Sequence, residues 1–520
     1  VAQARTLANV EAAEESILLS SAAPIVLLKR RDAALAANVA PGYDTLGVML
    51  PATPLHHLLM RAVERPIVLT SGNRSDDPQV TGDREAVSTL GQIADGFLMH
   101  SRPIAQRVDD SVVRLSNDGP ITLRRGRGFA PEPVMLHESF RDAGSVLGMG
   151  GDLKGAVALA RNGAITLSQH LGDLATPLSR QAYEETLSLL MGVNGFVPGA
   201  VAVDAHPDFH SRREGELIAA KQGARRDVVQ HHHAHIAACM AENGLPCDHP
   251  PVLGIALDGL GFGSDGTVWG GEFLACDFTG FTRLAHFAPA PLAGGDLASR
   301  QPWRNAYTQL DAALGWDAVV REFGDLDVIR RLTSKPLQPL RQMIAQGVNA
   351  PACSSAGRLL DACAALLDIC FEEQDYEGEA PSRLEALAEA ETLTPQPFGF
   401  SLSGKRLCWD RLFHGILTGL GEGRSRASLA ADVHATIAEA CAAVAITLAR
   451  EHDLTHVALS GGCFANVRLL MPVSKQLKEA GLSVLMQKHF PPGDGGLAAG
   501  QCAVALARLR ERQIGHSLDD

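Results

Sequence analysis

The chain has 520 residues, 46% of them hydrophobic, too long for a single hydrophobic core, so two or three domains are expected. Its 46 basic residues against 59 acidic ones leave a net charge of −13, which excludes a nucleic-acid coat or an anionic membrane as the main partner. No uncharged apolar run reaches the roughly 18 residues of a membrane span, and the ten cysteines include no CxxC pair, as expected of reduced core residues in a cytoplasmic protein.

Val1 opens directly into helix-like sequence with neither an initiator Met nor a signal peptide, so the chain is expected to be a fragment of something longer. Residues 1 to about 135 alternate β-rich and helical runs. Pro24–Lys29, Leu46–Leu50, Ile67–Thr70 and Asp110–Leu115 read as strands, and Leu55–Val63 and Arg84–Ile93 as helices. This is the pattern of an α/β domain. Between Arg102 and Arg127 lie six arginines in 26 residues. They form either a solvated basic face or, beside the polar turn Thr70-Ser71-Gly72-Asn73, a pocket for an anion. Ala130-Pro131-Glu132-Pro133 marks a linker.

An internal repeat follows. Val146-Leu147-Gly148 precedes Asp152 and Gly155, and 106 residues later Val252-Leu253-Gly254 precedes Asp258 and Gly261. Each copy continues into a hairpin signal, Asn162-Gly163 in the first and Asp265-Gly266 in the second. Two related α/β halves are therefore expected, able to face one another and hold a nucleotide's phosphates between them. The Asp after each strand is placed either to meet an ion or to make an ordinary Asx turn.

Between the copies, Gln230 leads into His231-His232-His233-Ala234-His235 and an apolar helix closing at Gly244. His231 and His235 are four apart, hence on one helical face and close enough to chelate one ion. The alternatives are a surface histidine run, a purification tag, against which the mid-chain position and the apolar continuation weigh, or a core histidine satisfied by a carbonyl. Residues about 296–450 read as mostly helical, and Ser354-Ser355-Ala356-Gly357-Arg358 opens one of these helices with an anion-contact pattern. Near the end, Ser460-Gly461-Gly462 and Gly493-Asp494-Gly495-Gly496 are glycine loops that let backbone approach a ligand. Asp494 is either a further ligand for the histidines or a helix N-cap.

Taken together, these motifs resemble one family, the hydrogenase maturation carbamoyltransferases. The resemblance rests on Leu69–Asn73, Gln106–Arg114, Gly151–Lys154, Leu167–Asp173, the histidine run, Leu257–Gly259, Trp269–Glu272, Gln301–Arg304, Ser355–Arg358, Tyr376–Ala380, Ser460–Gly462 with Asn466, and Gly493–Gly496. It implies a YrdC-like α/β domain over residues 1–135, followed over 136–520 by a duplicated actin-like α/β domain with helical insertions. The two halves of the latter fall at about 140–250 and 251–520.

The activity implied is ATP-dependent formation of a carbamoyl-adenylate from a carbamate-level substrate. The carbamoyl group then passes to the C-terminal cysteine thiol of a HypE-type acceptor, as precursor of the cyanide ligand of a nickel–iron hydrogenase. By the same resemblance Ser71, Asn73, Ser111 and Arg124, with Arg107, belong to the first domain's nucleotide and carbamoyl pocket. Asp152, Lys154, Gly259, Gly461, Gly462 and Asn466 belong to the nucleotide site of the second. His231, His235, Asp258 and Asp494 match its metal ligands, for Fe2+ or Zn2+, with Mg2+ accompanying ATP. No residue stands out as a general base. The acylphosphatase-like domain and paired CxxC zinc motifs of complete members are absent; hydrolysis of carbamoyl phosphate by this chain is therefore not expected. Two other readings share parts of the pattern: an O-carbamoyltransferase acting on a small-molecule hydroxyl, and an actin-like ATPase that binds a partner without acyl transfer.

Overall fold

Alternating β-branched and leucine-rich runs build three sheets in the computed structural model, which describes residues 1–31, 35–36, 38–75 and 77–519, with side chains to 514. The first sheet has the order β2-β1-β3-β4, from β1 (Ile25–Lys29), β2 (Thr45–Val48), β3 (Val112–Ser116) and β4 (Gly119–Arg124). Val26 and Leu28 alternate onto one face and pack with Ala8 and Leu18. On β4, Ile121 joins the large core of the following domain, and the Thr122 amide and hydroxyl both donate to the Lys488 carbonyl. The two domains therefore share a wall.

Expectation and structure part at Ile67–Thr70. These residues form no strand, and Ile67, Val68 and Leu69 are exposed. Nor do the helices Pro54–Val63 and Asp83–Leu90 bury a residue. A β-like run becomes a strand only when another strand completes its hydrogen bonds, and none does so among the described residues.

The repeat is borne out as topology. β5 (Pro133–Met135), β6 (Ser145–Gly148), β7 (Ala158–Arg161), β8 (Ala164–Leu167), β9 (Ala200–Asp204) and β10 (Arg225–Val229) form a sheet of order β10-β9-β6-β7-β8-β5. The third sheet contains β11 (Val252–Phe262), β12 (Val268–Cys276), β13 (Phe281–Phe287), β14 (Ala290–Pro291), β15 (Ala352–Cys353), β16 (Ser401–Ser403), β17 (Arg406–Cys408), β18 (His456–Ser460) and β19 (Ser483–Met486). Its path ends β13-β12-β11-β18-β19, the order of β8-β7-β6-β9-β10. In both halves three antiparallel strands are followed by two parallel ones, and the glycines of the two Val-Leu-Gly copies occupy matching rungs, Gly148 opposite Ala202 and Gly254 opposite Ala458. The short strands β15 to β17 interrupt the stretch read as mostly helical.

The helix after the last strand of each half occupies the equivalent place: His231–Glu242 after β10 and Leu497–Asp519 after β19. They cross so closely that a Cβ at Gly500 would lie 1.7 Å from the Ala234 carbonyl oxygen. A shared core of small and aliphatic side chains joins them. The 26-residue helix Arg426–Glu451 is long and apolar enough to cross a membrane, but most of its apolar surface is buried in the protein's largest core. It presents His434, whose Nδ1–H donates to the Ala430 carbonyl and whose Nε2 accepts from the Asn466 amide at 3.0 Å.

Gly500→Ala is expected to push these helices apart and lower stability by about 1–3 kcal/mol, read from the denaturant midpoint. Burial, together with Arg468, pushes the His434 imidazole down to about 4. The unfolded chain therefore takes up this proton first as the pH falls, and stability is lost between about 6.5 and 4. Relative to His434→Gln, the protein should lose up to about 3 kcal/mol across that window.

Candidate metal centre and its cavity

Gln230 starts the histidine helix by accepting the His233 amide on its side chain. All of His231 to Ala241 is buried, so the run is not a surface feature. His231 and His235 project from one face with ring centroids 4.9 Å apart. Opposite them, the pairing of β11 with β12 shifts register between Leu257 and Gly261, and this irregularity turns Asp258 toward the imidazoles. Asp494 arrives from the loop before the last helix.

The four side chains meet at one point. His231 Nε2 lies 3.4 Å from Asp258 Oδ2 and 3.5 Å from Asp494 Oδ1, and His235 Nε2 lies 3.3 and 3.4 Å from the same atoms. These separations exceed a good N–H···O distance. They suit neighbouring ligand atoms around one ion with nitrogen and oxygen ligands at about 2.1 Å. His231 Nε2 and both nitrogens of His235 are buried without a hydrogen-bond partner. One ligand atom from each of the four residues falls within 4.8 Å of the others. Donor types, orphaned nitrogens and spacing therefore fit a transition metal such as zinc or iron. Burial opposes charge on His231, yet Asp204 and Asp494 hold it well above the usual histidine range. Burial likewise opposes charge on Asp258, but His235 and His231 hold that carboxyl well below the usual range.

The remaining histidines of the run are core residues. His233 Nε2 pairs with the Asp277 carbonyl at 2.7 Å, and His232 lies against Trp269. Both are kept neutral by burial, with the neighbouring His231 adding to the effect at His232.

Asp258 also binds the glycine loop, its Oδ1 accepting from the Gly462 amide at 2.9 Å. Gly461 is obligatory there: its φ is 101°, and a Cβ would lie 2.3 Å from the Leu257 carbonyl oxygen. The loop, Gly259, Asp258 and Asp494 line a cavity of about 350 Å³ that reaches Tyr43 and Arg114 of the first domain. Asn466 lines it too, its amide held by His434. Lys154 stands at the boundary with a second cavity of about 320 Å³, lined by Arg124, Arg125 and His170. Burial works against its charge, but Glu377, 3.2 Å from Nζ, and Asp494 raise the ammonium above its ordinary value.

Other residues singled out in the sequence lie elsewhere. Asp152 does not reach the cavity: its carboxylate accepts the amides of His210 and Ser211, capping the helix His210–Gln222. The two repeat aspartates thus differ, one capping a helix and the other facing the histidines. Ser111 is buried, its hydroxyl donating to the Arg127 carbonyl and accepting from the Gly126 amide. Arg107 donates to the Gln79 carbonyl, while Ser71 and Asn73 bond to each other on an exposed turn. None of these four lines either cavity, because the run before the turn forms no strand to carry Ser71 and Asn73 inward. Sequence reasoning missed Asp204, 2.9 Å from His231 Nδ1; its only signal is an acid ending the buried apolar run Val201-Ala202-Val203. It also missed His434 and the role of Glu377 opposite Lys154.

Three family models match the chain: "Telomere recombination" (Sua5/YciO/YrdC) over residues 1–126, "HypF Kae1-like domain" over 141–242, and "Carbamoyltransferase, Kae1-like Domain, second subdomain" over 254–501. Carbamoyltransferase HypF of Rhodobacter capsulatus is 45% identical over 501 residues, which are 96% of this chain and 65% of that protein. The chain thus spans about two thirds of such a relative's length. A carbamoyltransferase HypF homolog of Cupriavidus necator is 38% identical over 375 residues, covering 70% of this chain and 92% of the homolog. A crystal structure of full-length HypF in the phosphate- and nucleotide-bound form superposes with a TM-score of 0.90 at 34% identity, over 97% of this chain and 78% of that one. A YrdC/Sua5 domain joined to Kae1-like halves, with likeness to the Rhodobacter protein and the full-length HypF structure along nearly all its length and to the Cupriavidus homolog over 70% of it, makes this chain a member of the HypF carbamoyltransferase family.

Proposed function

We propose that the protein is an ATP-dependent carbamoyltransferase of nickel–iron hydrogenase maturation, working in a cytoplasmic setting that suits its ten free cysteines. Residues 1–135 form the carbamoyl-adenylate and residues 136–520 transfer the carbamoyl group to the C-terminal cysteine of a HypE-type acceptor. The observation that carries this reading is the His/Asp cluster opening, through Asp258 and Asp494, into a cavity walled by a glycine loop and by the first domain.

In the first domain, a carbamate oxygen attacks the α-phosphorus of Mg2+-bound ATP and pyrophosphate leaves. Arg124 neutralises the anionic groups from the cavity wall, while Ser71 and Asn73 form an exposed polar turn outside both cavities. Ser111 and Arg107 act indirectly, by holding the backbone around Gly126 and Gln79. In the second domain, the cavity wall at Gly462, Cys463, Ala465 and Asn466 and the Lys154 ammonium face the adenylate phosphate. Gly259 leaves space, since a Cβ there would lie 2.9 Å from Glu377 Oε1. Asp152 supports the turn that carries Lys154.

His231, His235, Asp258 and Asp494 would hold the metal ion, and a zinc or iron ion there supplies Lewis-acid polarisation of the carbamoyl oxygen. The acceptor thiolate attacks the carbamoyl carbon, the carbon–oxygen bond to phosphate breaks, and AMP leaves with the electron pair. Lys154 stabilises the charge gathering on that phosphate.

His231→Ala combined with His235→Ala is expected to reduce bound zinc or iron from about one equivalent to a background level by elemental analysis; unchanged content would exclude the chelate. Given synthetic carbamoyl-adenylate and a HypE-type acceptor, the protein should add one carbamoyl mass to the acceptor's terminal cysteine, whereas transfer to a small-molecule hydroxyl would sink the assignment. Lys154→Ala should lower this transfer by about 10²–10³-fold in kcat, followed by quenched-flow mass spectrometry.

A further inference from the structure

Asp204 is fully buried at the end of β9, and both its oxygens have defined partners. Oδ1 accepts the His206 amide at 2.7 Å, closing the turn that leaves the strand. Oδ2 lies 2.9 Å from His231 Nδ1, on the side of the ring away from Asp258 and Asp494. A carboxylate can only accept here, so Nδ1 carries the proton, which leaves Nε2 as the ring atom a cation would take, on the side of Asp258 and Asp494. His235 has no such support, as its Nδ1 is buried without a partner. The two histidines are therefore held by different means.

The duplication provides an internal control. Aligned on Gly148 and Gly254, the sheets pair Gly148 with Ala202 and Gly254 with Ala458. Two residues further along each parallel strand stand Asp204 and Ser460, ending Val201-Ala202-Val203-Asp204 and Val457-Ala458-Leu459-Ser460. In the second half the serine hydroxyl bonds to Gln487, and the strand closes without a carboxylate. The fold thus does not require an acid at this position; the half that supplies the histidines has one.

We propose that Asp204 is a positioning residue of the metal centre, fixing the ring orientation and tautomer of His231 so that Nε2 is presented as a ligand. This rests on the metal reading of the His/Asp cluster. Removing such a carboxylate partner weakens metal affinity by about 10–100-fold in comparable sites. The pairing also accounts for a buried carboxylate that would otherwise lack a cationic or proton-donating side-chain partner.

Asp204→Ser copies the second half's residue and keeps an acceptor for the His206 amide, but is too short to reach His231. The variant should fold, with zinc affinity measured by competition against a chelator lowered about 10–100-fold. In the zinc-loaded parent protein, the His231 Nδ1 proton should give an exchange-protected downfield resonance that disappears in the variant. Zinc affinity within about threefold of the parent would overturn the assignment. Should the variant fail to fold, the parent protein still decides: a zinc-bound form without the protected Nδ1 proton overturns it as well. A parent that binds no zinc overturns the metal reading and Asp204's part together; a parent that binds zinc as well as Asp204→Ser does removes only the latter.

Discussion

Two imidazoles and two carboxylates sit within 4.8 Å of one another in a buried place, where an uncompensated charge is expensive and a compensated set is tolerated. The surroundings of the cluster supply the compensation. Asp204 backs His231, and the Gly462 amide donates to Asp258. The histidine helix stays close to both carboxylates because Gly500 lets the last helix touch its backbone. A side chain at that crossing would move the histidines relative to Asp494, which is joined to the last helix by a single short turn.

The duplicated halves have divided the work. Each offers the same five-strand order and a helix after the last strand, yet the strand ends differ. The first half closes its central parallel strand on Asp204 and starts its helix with histidines. The second closes the equivalent strand on Ser460, runs into the Gly461-Gly462 loop, and places Asp494 ahead of its helix. The repeat aspartates diverge in the same way: Asp152 caps a helix, while the bulge in β11 frees Asp258 for the cluster. A symmetric scaffold thereby holds an asymmetric site, nitrogen donors from one side and oxygen donors from the other.

The first domain is tied to this site by polar as well as apolar contacts. Arg114 pairs with Glu385 at 2.9 Å with both side chains largely buried, and Ile121 enters the second domain's core. The more exposed pairs, Lys29 with Glu389 and Lys478 with Asp118, contribute little by themselves. The cavities follow this seam, and Lys154 lies on the walls of both, which gives one cation access to an anionic group on either side.

Local patterns made much of the molecule readable without coordinates. Short β-rich apolar runs placed β1 and β2, the Asn-Gly step placed the β7–β8 hairpin, and the spacing of His231 and His235 put both rings on one helical face, since each depends on residues a few positions apart. The repeated Val-Leu-Gly announced the duplication because matching rungs of a sheet select matching residues. Ile67–Thr70 misled, since a strand exists only through a distant partner. The convergence of Asp258 and Asp494 on the histidines, the withdrawal of Asp152 and Ser111 into backbone contacts, and the position of Asp204 behind His231 were decided by tertiary structure. Each depends on which segments hundreds of residues apart pack together, and burial rather than local sequence determines whether a carboxylate caps a turn, supports a ring or faces an ion.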